Sequence, residues 1–219
     1  MTAAGAVGLN VRMEDDHPTH SDLPWPLTGA DAVRDELLAA YGDPSRGHHG
    51  TRHLGEVLAR LDELAASGAV FDRTPVQLAA WFHDAVYDGE RDAEERSATW
   101  AEDALPAHTD AATVAEVARL VRLTEHHRPE PDDANGCALS DADLSILAAD
   151  RERYDEYVAA VRTEYAHLPD DVFAAGRAGV LRALTDVPEL FRTAPGRARW
   201  EEPARANVAR ELAELTASL

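Results

Sequence analysis

The stretch "GTRHLGEVLARLDELAASG", residues 50–68, decides the fold class. Leu54, Val57, Leu58, Leu61 and Leu64 recur at steps of three and four, the repeat of one face of an α-helix, and Gly68 supplies a stop. His53 stands four residues before Val57, so the same apolar stripe carries an imidazole inward. A buried ionisable group is costly unless it has partners. This helix therefore raises a question of chemistry as well as one of fold.

The helical pattern spreads in both directions. Upstream, "TGADAVRDELLAAYGD" (28–43) predicts a helix with Leu37 and Leu38 inward and Gly42 closing it. Downstream, "TPVQLAAWFHDAVY" (74–87) opens on a capping box, with Thr74 as N-cap, Pro75 first and Gln77 third. On this reading His83 and Asp84 sit in the middle of that helix. "DAEERSATWAEDAL" (92–105) and "TDAATVAEVARLVRLTEHH" (109–127) predict two more, the latter with Val114, Val117, Leu120 and Val121 inward. Residues 128–139, rich in Pro, Asp and Gly, predict a loop leading to a short helix, "SDADLSILAAD" (140–150). Helices over 151–168, 169–184 and 201–215 complete the series. No alternating Val, Ile or Thr run argues for a strand. The expectation is an all-α bundle of about nine helices. Residues 1–24, with Pro18 and Pro24, are expected to be a flexible tail, and residues 25–219 a single helical domain.

Composition narrows the function classes. With 45% apolar residues the chain can bury a sizeable core, and only 6% are aromatic. Forty-one acidic against 21 basic side chains give a net charge of −20. Such a surface repels nucleic acid polymers and anionic membranes. A small phosphorylated molecule remains admissible, provided metal ions or local arginines reverse the field inside one cleft. Cys137 is the only cysteine, which excludes an internal disulfide and a thiolate zinc site. No run of about 18 apolar residues predicts a membrane span. The first residues lack the basic start of a signal peptide, and a cytoplasmic protein is expected.

Histidines and aspartates cluster in four places: "SRGHHGTRH" with His48, His49 and His53; "WFHDAVYDG" with His83 and Asp84; "TEHH" with His126 and His127; and "SDADLSILAAD" with Asp141 and Asp143. His49 and His53 share a face if their helix begins early enough, and His83 and Asp84 lie about 100° apart around theirs. Three helices thus offer donors toward the interior of a bundle, where helical proteins commonly build metal sites. Imidazole with carboxylate suits Mn, Mg, Fe, Co, Ni or Zn. Two His and two Asp leave coordination positions open for water and a phosphoryl oxygen, as a hydrolase requires. The first ligand is His49 or His53, and the last is Asp141 or Asp143. His53, four residues before Val57, lies on the inward stripe.

The order His53, His83-Asp84, Asp143 resembles the HD superfamily of metal-dependent phosphohydrolases, whose signature is a His, a His-Asp doublet and a distant Asp on separate helices. The wider wording resembles a bacterial subgroup of predicted HD phosphohydrolases with "FHDAVYD", "EERSA" and "DADLSIL" motifs. Here these read "WFHDAVYDG", "AEERSATWA" and "SDADLSILAAD", over roughly residues 33–215. Where that subgroup has Tyr before its first histidine, this chain has His48. The resemblance implies an HD-type helical bundle and a divalent ion on His53, His83, Asp84 and Asp143. Asp143 is favoured over Asp141 because the family's last Asp follows Ala and precedes an apolar residue.

The function expected is hydrolysis of a phosphate ester or anhydride, a nucleotide among the candidates. Asp84 would ligate and either bridge a second ion or orient the nucleophile. Glu95 would orient the attacking water or, alternatively, cap its helix. Arg46, His49, His126 and His127 would contact the phosphate. Two alternatives are an HD-fold di-iron oxygenase, kept open by the extra histidines, and a metal-binding regulatory module without turnover.

Overall fold

The computed structural model describes residues 23–217. Most of the tail expected from the sequence, residues 1–22, lies outside the described residues. Its last two residues belong to the body. Leu23 packs against the core, and the Pro24 carbonyl accepts a hydrogen bond from Trp81 Nε1 at 2.9 Å. Trp25 then meets the Trp81 ring edge-on.

The described residues form nine α-helices and no strand. These are α1 (Asp31–Tyr41), α2 (Thr51–Ala66), α3 (Arg73–Phe82), α4 (Ala93–Ala104), α5 (Ala111–Leu123), α6 (Ala134–Leu144), α7 (Arg151–Glu164), α8 (Asp170–Thr185) and α9 (Ala194–Ala217). A 3-10 turn, Ser145–Ala148, joins α6 to α7. No helix among them is long and apolar enough to cross a membrane.

Helix α2 follows its sequence pattern. Leu54, Val57, Leu58, Leu61 and Leu64 are all buried, with His53 on the same face. Five such side chains contribute on the order of 10 kcal/mol as an upper bound. That is enough to hold a histidine in the core beside them. The helix stops at Gly68, which takes a positive φ of 96°. Helix α5 likewise buries Val114, Val117, Leu120 and Val121, and the Asp110 carboxylate caps its first turn through the Ala112 and Thr113 amides.

Three helices depart from expectation. Helix α3 begins at Arg73 rather than Thr74 and has no side-chain cap, so the Thr74 capping box does not form. It also ends at Phe82, which puts His83 and Asp84 at its C-terminal end rather than in its middle. Helix α6 begins at Ala134, six residues into the helix-free stretch expected over 128–139. Asp133 caps it through the Gly136 amide at 2.9 Å. A Cβ at Gly136 would crowd the Asp133 carboxylate that makes this cap and stand 2.7 Å from Leu123 Cδ2 of α5. Helix α9 starts at Ala194, seven residues before the expected Glu201, and carries Pro203 inside it.

Helices α2, α3, α5 and α6 pack around one core. Asn207 of α9 ties the 3-10 turn to this body through the carbonyls of Leu147 and Ala149, each at 2.9 Å. Helix α8 packs chiefly on α9 and leaves its other face to a cleft described below.

Candidate metal centre

Three elements bring donor atoms to one point. His53 comes from the first turn of α2, His83 and Asp84 from the end of α3, and Asp143 from the last turn of α6. Both histidines are buried. The Nε2 atoms of His53 and His83 face each other at 3.1 Å. Asp84 Oδ2 lies 3.4 Å from the first and 3.1 Å from the second. Asp143 Oδ1 lies 3.1 Å from His53 Nε2 and 3.6 Å from His83 Nε2.

These distances test whether a cation fits. Ligand bonds of about 2.1 Å place neighbouring ligand atoms about 3.0 Å apart in octahedral and about 3.4 Å apart in tetrahedral geometry. The donors already stand at that spacing, and the His53, His83 and Asp84 group could hold a metal ion. His83 Nδ1 lies 2.8 Å from the Ala80 carbonyl. It must donate there, which leaves Nε2 as the ligating nitrogen. Two facing imidazole nitrogens also cannot satisfy each other unless a cation or a proton lies between the rings and the carboxylates.

Electrostatics follow the same arrangement. Burial alone would push His53 down, but hydrogen bonds to Asp143 and Asp84 outweigh it and lift its pKa to about 9. His83 is lifted well above its usual value in the same way, chiefly by Asp84 against the opposing effect of burial. For Asp84 and Asp143 burial would raise the carboxyl pKa. The positive charge of His83 overrides it and holds both well below the usual range. The four groups form a charge-compensated set, with protons on the imidazoles where a divalent ion would compete.

The structure distinguishes the candidate ligands. Helix α2 starts at Thr51, so His49 precedes it and does not share the His53 face. His49 instead stacks on Tyr87 at 4.0 Å and sets Nδ1 2.8 Å from Glu164 Oε2. Asp141 turns away from the centre. It accepts from the Arg192 amide, the Thr193 amide and the Thr193 hydroxyl at 2.6–2.8 Å.

The other expected site residues take different positions. Arg46 does not face the cleft. Its guanidinium donates to the carbonyls of His49, Asp84 and Ala85 at 2.6–3.0 Å and stacks over Tyr41. The helix stops before Asp84, so those carbonyls lack helical partners, and the arginine supplies them. Glu95 is not at the centre either. It is exposed and forms a bidentate pair with Arg122 at 2.6 and 2.7 Å. Its neighbour Glu94 lines the cleft. His126 and His127 part company. His126 is exposed beside Glu125 and lines the cleft. His127 turns inward at a φ of 50° and sets Nε2 3.5 Å from Asp143 Oδ2. Burial lowers its pKa and keeps it neutral.

Residues without a motif support the site. Glu164, at the end of α7, accepts from the Gly47 and His49 amides at 2.9 Å as well as facing the His49 ring. His48 is buried with Nδ1 unpartnered, between the rings of His53 and Tyr157. Arg177 of α8 donates to Tyr157 and Glu211. Their partners are far away in sequence, and no local pattern announces them.

The centre opens into a cleft of about 1160 Å³, whose lining includes His83, Asp84, Asp143, His49, His126 and His127. No family model, curated protein or solved structure matches this chain.

Proposed function

We propose that this protein is a metal-dependent phosphohydrolase of the HD type that its motifs resemble, acting on a phosphate ester or anhydride. One observation carries the reading: four donors, from α2, α3 and α6, meet at metal-ligand spacing, and three of them, His83, Asp84 and Asp143, line a large cleft. His53, His83, Asp84 and Asp143 would hold the ion. The ion supplies charge against a phosphoryl oxygen and lowers the pKa of a water in the site.

The remaining work falls to the chain. Water attacks phosphorus, the ester P–O bond breaks, and the leaving oxygen takes a proton, giving an alcohol and phosphate. His49 is the proton donor we assign. Its Nδ1 is engaged by Glu164, so the other ring nitrogen is the one available. His127, neutral and next to Asp143, orients that carboxylate.

The test is metal analysis of the purified chain followed by a screen of phosphate esters with Mn, Mg, Fe, Co, Ni and Zn. We expect one or two equivalents of metal and metal-dependent turnover. Replacing His49 by Ala should lower kcat about a hundredfold, as loss of a general acid does, while metal content stays near one equivalent or above. Bound metal without turnover of any ester would refute the reading in favour of a regulatory module. A second reading, a di-iron oxygenase, draws on the position of His127 beside Asp143, which adds a donor for a second ion. An iron-dependent visible absorption band would favour it.

A further inference from the structure

We infer that the substrate is a phosphate ester whose organic group is apolar and extended, running from the metal centre along α8. The inference rests on the phosphohydrolase reading. The cleft is much larger than a phosphate group, and its two walls differ in chemistry. One carries Glu94, Arg122, Glu125 and Arg128; the other is built from the end of α7 and from α8. On α8, Val172, Gly176, Val180 and Leu184 line the cleft at four-residue steps, which makes one continuous ridge. From Val172 to Leu184 it is about 18 Å long.

Two observations make this ridge a binding surface. Four large apolar side chains are exposed among the described residues, and three of them, Val172 at 51%, Val180 at 53% and Tyr165 at 37%, line this one cleft. Exposed apolar residues gathered in one place mark a binding site, whereas scattered ones need no explanation. The second is Gly176. Glycine is the poorest helix former after proline, yet here it sits in the middle of α8 with nothing within 4 Å of a Cβ built on it. Gly179, in the same helix but outside the cleft lining, is equally open, so no packing partner sets either glycine; of the two, Gly176 lines the cleft. The notch it leaves falls between Val172 and Val180, where a ligand lying along the ridge needs room.

The ridge also lacks what a nucleotide would need. The polar side chain that α8 itself contributes to the cleft is Arg177, and its donors are committed to Tyr157 and Glu211. A base placed there would lose its hydrogen bonds to water without replacement. An alkyl or aryl group would lose none. On this inference the substrate is an amphiphilic ester rather than the nucleotide expected from the sequence. Water displaces its alcohol at phosphorus, with the P–O bond broken and the alcohol oxygen protonated.

The experiment uses the full-length chain loaded with Mn and measures kcat/KM for methyl, butyl and octyl phosphate, below their aggregation limits, with adenosine monophosphate for comparison. We expect kcat/KM to rise about twofold per methylene, half of what complete burial gives, or about a hundredfold from methyl to octyl. Gly176→Leu fills the notch while improving helix propensity. It should cut the octyl-to-methyl ratio at least tenfold, chiefly through KM, with bound metal reporting that the variant is folded. Val180→Asp should cut the same ratio. Turnover independent of chain length, or preference for the nucleotide, overturns the inference and leaves the phosphohydrolase reading standing. Turnover of no ester overturns that reading and the inference with it. An unaltered ratio in both variants, with Val180→Asp shifting the oligomeric state instead, would assign the ridge to a second copy of the chain and likewise overturn the inference.

Discussion

Asp141 and Asp143 are two residues apart on α6, and therefore about 200° apart around it. One faces the metal centre. The other holds the loop before α9 by three hydrogen bonds. The motif "DAD" contains both, and sequence spacing offers no reason to choose between them until the neighbours of α6 are known. Replacing Asp143 by Ala should remove a ligand and abolish stoichiometric metal binding. Asp141→Ala should leave metal binding intact but strand three donors, lowering stability by about 1–3 kcal/mol in a denaturant titration. Metal lost from the Asp141 variant in its folded form would reverse the assignment. His126 and His127 repeat the lesson. The left-handed backbone at His127 sends one ring to Asp143 and leaves the other in solvent.

At the scale of the helix, the decisive event is the early end of α3. The apolar sequence "LAAWF" continues into "HDAVY", and local propensity gives no stop. Past Phe82 the Val86 amide bonds Ser97 Oγ instead of continuing the helix, and Arg46, from the loop before α2, takes the freed carbonyls of Asp84 and Ala85. This turns His83 and Asp84 together toward His53. Arg46→Ala should destabilise the protein by about 3 kcal/mol, since hydrogen bonds from a charged donor to three carbonyls are lost. It should also weaken metal affinity tenfold or more, because Asp84 loses its support. Arg46→Lys should restore little of either, since an ammonium cannot reproduce the planar fork. Calorimetric titration with Mn and chemical denaturation check both. Full affinity in the Ala variant would show that Arg46 does not position the doublet. Helix α6 was hidden for a different reason. It is buried on nearly every side, so it has no amphipathic period, and its "NGC" start reads as loop chemistry.

At the scale of the whole molecule, the centre links α2, α3 and α6 across the core. A metal bound there would join three helices and stabilise only the folded state. Divalent ion at about 100 times its Kd should add about 2.7 kcal/mol. For a chain of this size Tm should rise by roughly 5–10 °C and return on chelation. No shift with any divalent ion would count against the centre. The sequence alone was sufficient for the all-α class, the inward faces of α2 and α5, and the residue types of the centre. Those follow from local periodicity and from the chemistry of imidazole and carboxylate, which need no neighbours to be read. Only the tertiary structure decided that His49, Asp141, Arg46 and Glu95 serve other partners, and that apolar residues of α8 line the same cleft as His83, Asp84 and Asp143. These depend on where helices stop and what packs across from them. Such contacts join residues as far apart as Arg46 and Asp84, or His49 and Glu164, and no local spacing encodes them.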